Sequence, residues 1–254
     1  MRVYADNAAT TQISERALAA MMPAFREHYG NPSSLHTLGQ NQNEILQDAR
    51  ARVAKCLGCE PREIYFTSGG SEADNQAIIS AARYGARKGK KHIISTAFEH
   101  HAVLHTLEKL KKEGFEITLL DVKNNHNVSA QQVKEAIRED TCLVTCMYAN
   151  NEIGTIQPIK EIGALCRERR VPFHTDAVQG FLKVPFSAKT LGADLISISS
   201  HKVHGPKGCG ALYISPKLKS FPALLQGGGQ ESNFRSGTEG TPAIFSFAAA
   251  AAAG

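Results

Sequence analysis

The run DLISISSHKVHGPKG, residues 194–208, sets a lysine, Lys202, directly after a strand-like stretch and among Ser199, Ser200, His201 and His204. A solvated surface lysine needs no such company. An amine at a buried sheet edge, beside another basic group, loses affinity for its proton and becomes available as a nucleophile. Here the edge and His201 are expected to supply the two effects. Lys207 in GPKG is the competing amine, but it lies in a Gly/Pro turn that leads into the next strand rather than out of one.

Residues able to act with this amine follow other strand-like runs. After EIYFT comes SGGS, where Ser68, Gly69 and Gly70 are expected to turn tightly and Ser71 to cap the next helix. Exposed backbone N–H groups at such a helix start favour a phosphate. After HIIST come Glu99, His100 and His101; after CLVTCMY come Asn150, Asn151 and Glu152; after VPFHT come Asp176 and, three residues on, Gln179. Each has a plainer reading by itself, as a turn, a helix cap or a structural histidine. Their convergence is the argument: a phosphate nest, a ring able to stack, a carboxylate, amides and a lysine belong to one edge of one sheet. Pyridoxal phosphate uses that inventory, since its aldehyde takes an amine, its pyridine nitrogen needs an anionic partner and its phosphate needs a cradle. The sequence has neither a Walker A nor a G-x-G-x-x-G pattern, which argues against a nucleoside triphosphate or a dinucleotide.

The elements that bring these residues together are legible in the hydrophobic periodicity. An extended arm reaches about Thr11, and helical patterns cover 14–28 and 40–57. β-rich runs follow at 63–68, 92–96, 115–120, 142–148, 171–175, 194–199 and 210–215, with helical patterns such as Val103, Leu104, Leu107 and Leu110 between most of them. This alternation predicts an α/β fold, a mainly parallel seven-stranded sheet with helices on both faces, and ligands beyond the carboxyl ends of its strands. Only SHKVHGPKGC separates the last two runs, too little for a helical crossover, so that pair is expected to be antiparallel. Phe245, Phe247 and the six alanines that follow read as a helix begun without a natural stop, as in a fragment.

At 254 residues, 42% hydrophobic and 21% charged, the chain can bury a full core. Its net charge of +5 is spread along the sequence, and the one dense basic cluster, Arg87 to Lys91, reads as a solvated helix end, so no nucleic-acid partner is expected. No apolar window suits a signal peptide or a bilayer span; a cytoplasmic location and no membrane partner are expected. Six irregularly spaced cysteines suit a reducing compartment. Cys56 and Cys59 lack a second pair or a nearby histidine, and His101 and His105 share a helical face without an intervening glutamate, so no metal is expected.

The motifs YADNAATT, YGNPSSLH, FTSGGSEADN, FEHHAVL, ANNEIGTIQPI, HTDAVQ, SSHKVHGPKGCGALY and GGGQESNFRSGT run in this order over nearly the whole chain. They are similar to those of the class V, fold-type I pyridoxal-phosphate enzymes, and most closely to those of the NifS/IscS-like cysteine desulfurases. The resemblance implies Lys202 as the lysine that forms the Schiff base, Asp176 as the pyridinium partner and Gln179 as the partner of the ring hydroxyl. It implies His100 as the residue that stacks on the ring and takes part in catalysis, Gly70, Ser71, Ser199 and His201 as phosphate contacts, and Asn151 as the residue near ring and substrate. Thr238 resembles the threonine that reaches the phosphate of the neighbouring subunit, which implies a homodimer. It also implies a large cofactor domain over 15–254, preceded by an arm, 1–14, that belongs to a small domain. The implied substrate is L-cysteine and the product alanine, with a protein persulfide that passes sulfur to an acceptor or scaffold protein for iron–sulfur cluster assembly. The family's loop cysteine and carboxylate-binding arginine belong to a second lobe, expected beyond residue 254. None of Cys56, Cys59, Cys142, Cys146, Cys166 or Cys209 sits in a matching motif, so no nucleophilic cysteine is assigned. Two other readings share these residues: another class V enzyme, such as a selenocysteine lyase or an aminotransferase, and a non-catalytic dimeric fragment.

Overall fold

A computed structural model describes residues 1, 3–122, 126–218 and 221–254. An irregular arm leads into α1 (Glu15–Arg26) and α2 (Thr37–Leu57). Strand and helix then alternate through β1 (Ile64–Thr67), α3 (Gly70–Ala86), β2 (His92–Thr96), α4 (His101–Lys112), β3 (Glu116–Leu120), α5 (Ala130–Ala136), β4 (Thr141–Thr145), α6 (Ile159–Arg169), β5 (Phe173–Asp176), α7 (Ala188–Leu191), β6 (Leu195–Ser199), β7 (Gly210–Ile214) and α8 (Thr241–Ala251).

Every β-rich run of the sequence overlaps a strand, β4 starting one residue before its run and β5 ending one residue after, and the strands form one sheet in the order β1-β7-β6-β5-β4-β2-β3. The four pairings among β2 to β6 are parallel. β7 runs against both its neighbours, β6 and β1. The short β6–β7 connection forces the first of these reversals, and β1, at the sheet edge, accepts the second.

Period-two alternation builds the two cores. Ile93, Leu143, Leu195 and Leu212 pack with Ala77, Ile78, Val103 and Leu107 of α3 and α4 on one face. Their neighbours Ile94, Val144, Ile196 and Ala211 pack on the other face with Leu46, Val53, Ile162 and Phe247 of α2, α6 and α8. Burial on both faces explains why the central strands read as near-continuous apolar runs rather than as alternating ones. Local signals end the helices: Gly58 closes α2 at φ 67°, and Arg170 closes α6 at φ 55°.

With the parallel strands fixed this way, the segments after β2, β4, β5 and β6 and the start of α3 all emerge at one edge of the sheet, where the candidate residues lie.

Candidate active site

A cleft of about 440 Å³ opens at that edge. Its walls include Gly70, Ser71, His100, Asn151, Asp176, Gln179, Ser199, His201 and Lys202, together with Asp6, Ala8, Ala9, Asp74, Met147, Glu152 and Val178. Of the residues to which the resemblance gives a role, only Thr238 is elsewhere: it lines a separate recess with Ser68, Gly208 and Arg235. Lys207 is exposed and does not line the cleft, whereas Lys202 is half-buried there.

Lys202 ends a single 3₁₀ turn, Ser200–Lys202, that follows β6 directly. The turn is held from behind by Ser200 N–H donating to Cys209 O and Gly205 N–H to Ser200 O. A Cβ on Gly205 would crowd Ser200 Oγ and the Ser200 carbonyl, so glycine lets the chain fold back closely on this turn. From the front it is held by the N-terminal arm, an interaction that sequence reasoning missed. Thr11 N–H and Oγ1 both donate to His201 O at 2.9 Å, His204 N–H donates to Thr11 Oγ1 at 2.7 Å, and Ser14 N–H donates to His204 O at 2.9 Å. The Lys202 ammonium donates to Ala8 O at 2.6 Å and Ala9 O at 2.8 Å. Burial lowers the proton affinity of Lys202, while Asp176 and Asp6 oppose the shift. The expected contribution of His201 is not what lowers it. His201 is itself pushed down, first by burial and then by Lys202, Lys207 and Lys183, so its ring carries no charge with which to act on Lys202 at neutral pH.

Asp176 terminates β5 and is 5% exposed; its Oδ1 accepts from Val178 N–H at 2.9 Å. Burial raises its pKa, and the Val178 amide, His100 and Lys202 pull it back toward the ionised form. His100 is the N-cap of α4, where Nδ1 accepts from Ala102 N–H at 3.1 Å. That bond leaves Nε2 as the site of its proton in the neutral ring. Gln179 is held at both ends of its amide: Nε2 donates to Ala8 O at 2.8 Å, and Oε1 accepts from Lys183 Nζ at 2.9 Å. A lysine can only donate, so Lys183 fixes which end of the amide is the donor.

The start of α3 differs from expectation in one respect. Gly69, not Ser71, is its N-cap, at φ 153° and ψ −179°, a backbone region open essentially only to glycine. Ser71 therefore lies inside the first turn, where its side chain lines the cleft. A Cβ on Gly70 would stand 2.7 Å from Val178 Cγ2 and 3.5 Å from Ser199 Cβ, so glycine lets the helix start, with its free N–H groups, pack directly against Val178 and Ser199. Ser199 Oγ, buried beside this helix start, has no hydrogen-bond partner. Glu72, whose charge would repel an anion there, is drawn to Arg235 at 2.8 Å.

Two carboxyl groups that motif reasoning left unassigned are buried at this edge: Asp74 and Glu99, at 1% and 5% exposure. Glu99 Oε1 accepts from Thr96 Oγ1 at 2.7 Å and Met147 N–H at 2.8 Å, while Oε2 has no partner. Burial pushes Glu99 up to about 8 against the pull of these two bonds. The folded protein thus keeps a proton that the unfolded chain releases near pH ~4.3. Between those values the folded state binds more protons, so stability falls as pH rises and levels off above pH 8. Glu99→Gln places an amide donor where the unpartnered oxygen stands and removes the titration. Urea denaturation should show the variant gaining on the parent by about 1.4 kcal/mol per pH unit between pH 5 and pH 8. A pH-independent difference would contradict this protonation.

No cysteine lines the cleft. Cys146 and Cys209 are fully buried, and burial pushes Cys59, Cys142 and Cys166 up to about 12. Among the described residues, no group of three or more His, Cys, Asp or Glu side chains is arranged to hold a metal ion, and no helix is long and apolar enough to cross a membrane.

Comparison with known proteins gives a consistent picture. The aminotransferase class-V family matches residues 3–253. The IscS 1 protein of Bacillus subtilis (strain 168) is 54% identical over 244 residues, which cover 96% of this chain and 64% of that protein. The cysteine desulfurase IscS of Methanosarcina thermophila is 51% identical over 95% of this chain and 59% of its own length. Among solved structures, a NifS-like protein superposes with a TM-score of 0.96 at 42% identity, covering 100% of this chain and 69% of its own. SspA in complex with cysteine superposes with a TM-score of 0.95 at 41% identity, covering 98% of this chain and 72% of its own. The chain thus spans less than two thirds of the length of these curated relatives.

Proposed function

The chain belongs to the aminotransferase class-V family and to its NifS-like members, and on that premise we propose that it is the cofactor domain of a pyridoxal-phosphate-dependent cysteine desulfurase, which converts L-cysteine to L-alanine and passes on the sulfur. One observation carries the reading: a single cleft joins a lysine of lowered proton affinity, a buried carboxylate and a helix start beside an unpartnered serine hydroxyl.

These residues fit pyridoxal phosphate. The α3 start at Gly70 and Ser71, with Ser199 and His201, would hold the phosphate. Asp176 would hold the proton on the ring nitrogen, His100 would cover the ring, Gln179 would donate from Nε2 to the ring oxygen, and Asn151 would lie near ring and substrate. When bound, the cofactor supplies an electron sink that makes the substrate's α-proton acidic. Lys202 Nζ, less strongly protonated than a surface lysine, is the base that takes that α-proton and returns it. To do so the amine must leave Ala8 O and Ala9 O, and the arm that carries those carbonyls walls the cleft against water.

Thr238, in its own recess, would serve the phosphate of a second copy of the chain, so the working unit is a homodimer. A thiolate that the cleft walls do not supply would attack the substrate sulfur as its C–S bond breaks, and the resulting persulfide would pass its outer sulfur to an acceptor or scaffold protein, the source of iron–sulfur cluster sulfur. The division into an arm, 1–14, and a cofactor domain, 15–254, fits the arm's role as a wall of the cleft.

The test is incubation of the pyridoxal-phosphate-loaded chain with L-cysteine and dithiothreitol, whose thiolate takes the sulfur and releases it as sulfide when the reagent cyclises, with L-selenocysteine and with an amino-acid/keto-acid pair. Sulfide and alanine in equal amounts are expected. Preferential selenide release or transamination would assign another class V activity, and cofactor binding without turnover would leave a dimeric scaffold. Gly70→Val, whose side chain would collide with Val178 and displace the α3 start, should weaken pyridoxal-phosphate binding about ten- to a hundredfold in an absorbance titration. Unchanged affinity would remove the α3 start from the cradle.

A further inference from the structure

The floor of the cleft holds a carboxyl group for which the proposed chemistry has no use. Asp74, in α3, is 1% exposed and lines the cleft, and its Oδ1 has no hydrogen-bond partner. Among the described residues no lysine or arginine pairs with it; the nearest base is His174 Nε2, 3.6 Å from Oδ1. His174 is fully buried, and both ring nitrogens already face hydroxyls: Nδ1 faces Thr145 Oγ1 at 2.8 Å, and Nε2 faces Ser197 Oγ at 3.0 Å. The Ser197 hydroxyl also acts on the Asp74 carboxyl, in the direction that favours its ionised form.

A serine has one proton to give, which links the directions of these bonds. If Ser197 donates to Asp74, His174 Nε2–H must donate to Ser197 Oγ, and Nδ1 can accept from the Thr145 hydroxyl. The imidazole is then satisfied as a neutral ring, and no cation is left for Asp74. Asp176 lies two residues from His174 along β5, hence on the same face, and is the register partner of Ser197 in β6. The groups that face this pair are His174 of β5, Ser197 of β6, Glu99 and His100 at the start of α4, and Lys202. Lys202 and His100 favour the ionised form of Asp176, whereas the groups that act on Asp74 are carboxyls, Asp176 and, once it is ionised, Glu99. Two adjacent buried carboxyls, one of them without a cation, cannot both be ionised.

We propose that Asp74 is a positioning residue: it sits on the cleft floor as a neutral carboxylic acid beside a Thr145–His174–Ser197 hydrogen-bond chain, which confines the single negative charge to Asp176. Burial and then the charge of Asp176 raise the pKa of Asp74 well above the carboxylate range against the opposite pull of Ser197, and burial pushes His174 down to about 3, in accord with a neutral ring. The purpose of the device rests on the pyridoxal-phosphate reading, because a ring-nitrogen partner must stay anionic. The protonation states themselves belong to the protein without cofactor.

Infrared spectroscopy of the cofactor-free chain, with ¹³C-labelled aspartate to separate Asp from Glu, tests the proposal. A protonated aspartic-acid C=O band is expected at pH 7, lost in Asp74→Asn and retained in Glu99→Gln. In Asp176→Asn the same band should titrate away at lower pH than in the parent, because a neighbouring negative charge is gone. If Asp74→Asn does not fold, the nitrogen resonances of His174 in the parent decide: neutral-imidazole shifts are expected. Absence of the acid band together with imidazolium shifts at His174 would place the proton on the ring, and a band whose pH midpoint ignores Asp176→Asn would show that the two carboxyls do not interact; either overturns the proposal. Failure of the parent chain to bind pyridoxal phosphate would refute the proposed function and leave these readings unaffected.

Discussion

Lys202→Ala should still bind pyridoxal phosphate reversibly, keep none after borohydride reduction and desalting, and release sulfide from L-cysteine at least about 10³-fold more slowly than the parent chain. The size follows from the loss of two functions in one atom. Lys202 Nζ is the amine at the cleft wall, and it is the group able to take and return a proton there. Lys207 is exposed outside the cleft, and Lys183 is engaged with Gln179, so neither amine substitutes. The rate of cofactor capture carries a second signature. Only the neutral amine reacts, so capture should accelerate with pH and reach its plateau below the ordinary lysine pKa, in keeping with the lowering by burial. Asp6 holds the proton on Lys202, so Asp6→Asn should move that plateau to still lower pH. A shift in the opposite direction would mean that the arm's charge does not act on this amine.

Asp176→Asn should reduce kcat for L-cysteine by about 10²–10³-fold while the cofactor is retained. The amide keeps the shape and an acceptor for Val178 N–H but cannot hold a proton on the ring nitrogen, so the loss falls on the step in which electrons enter the ring. The effect should therefore appear in kcat more than in KM. A matched loss in cofactor affinity with normal kcat would make Asp176 a structural residue only.

Much of this site was legible in the sequence because its signals are local. Each β-rich run overlaps a strand, and the strand-terminal positions of Lys202, Asp176 and His100 follow from the parallel order alone. What escaped depends on tertiary contact. The arm sequence YADNAATT reads as extended chain, and nothing in it announces that the carbonyls of Ala8 and Ala9 hold the Lys202 amine. Ser71 has the side chain of a cap, yet the Gly69 backbone starts the helix two residues earlier. His201 stands beside Lys202 in sequence and would have lowered its proton affinity as a cation, but burial keeps the ring neutral. Asp74 within SEADN looks like a solvated helix residue, and only the stacking of α3 over β5 and β6 buries it. Lys183 carried a usable signal, a cation four residues from Gln179, that motif reasoning did not draw on.

The central claim is that one amine, Lys202, captures the aldehyde of pyridoxal phosphate. Borohydride reduction of the loaded chain, followed by protease digestion and mass spectrometry, measures this directly. A pyridoxyl adduct confined to the peptide that contains Lys202 is the predicted result; an adduct on Lys183 or Lys207 instead, with Lys202 unmodified, would contradict it.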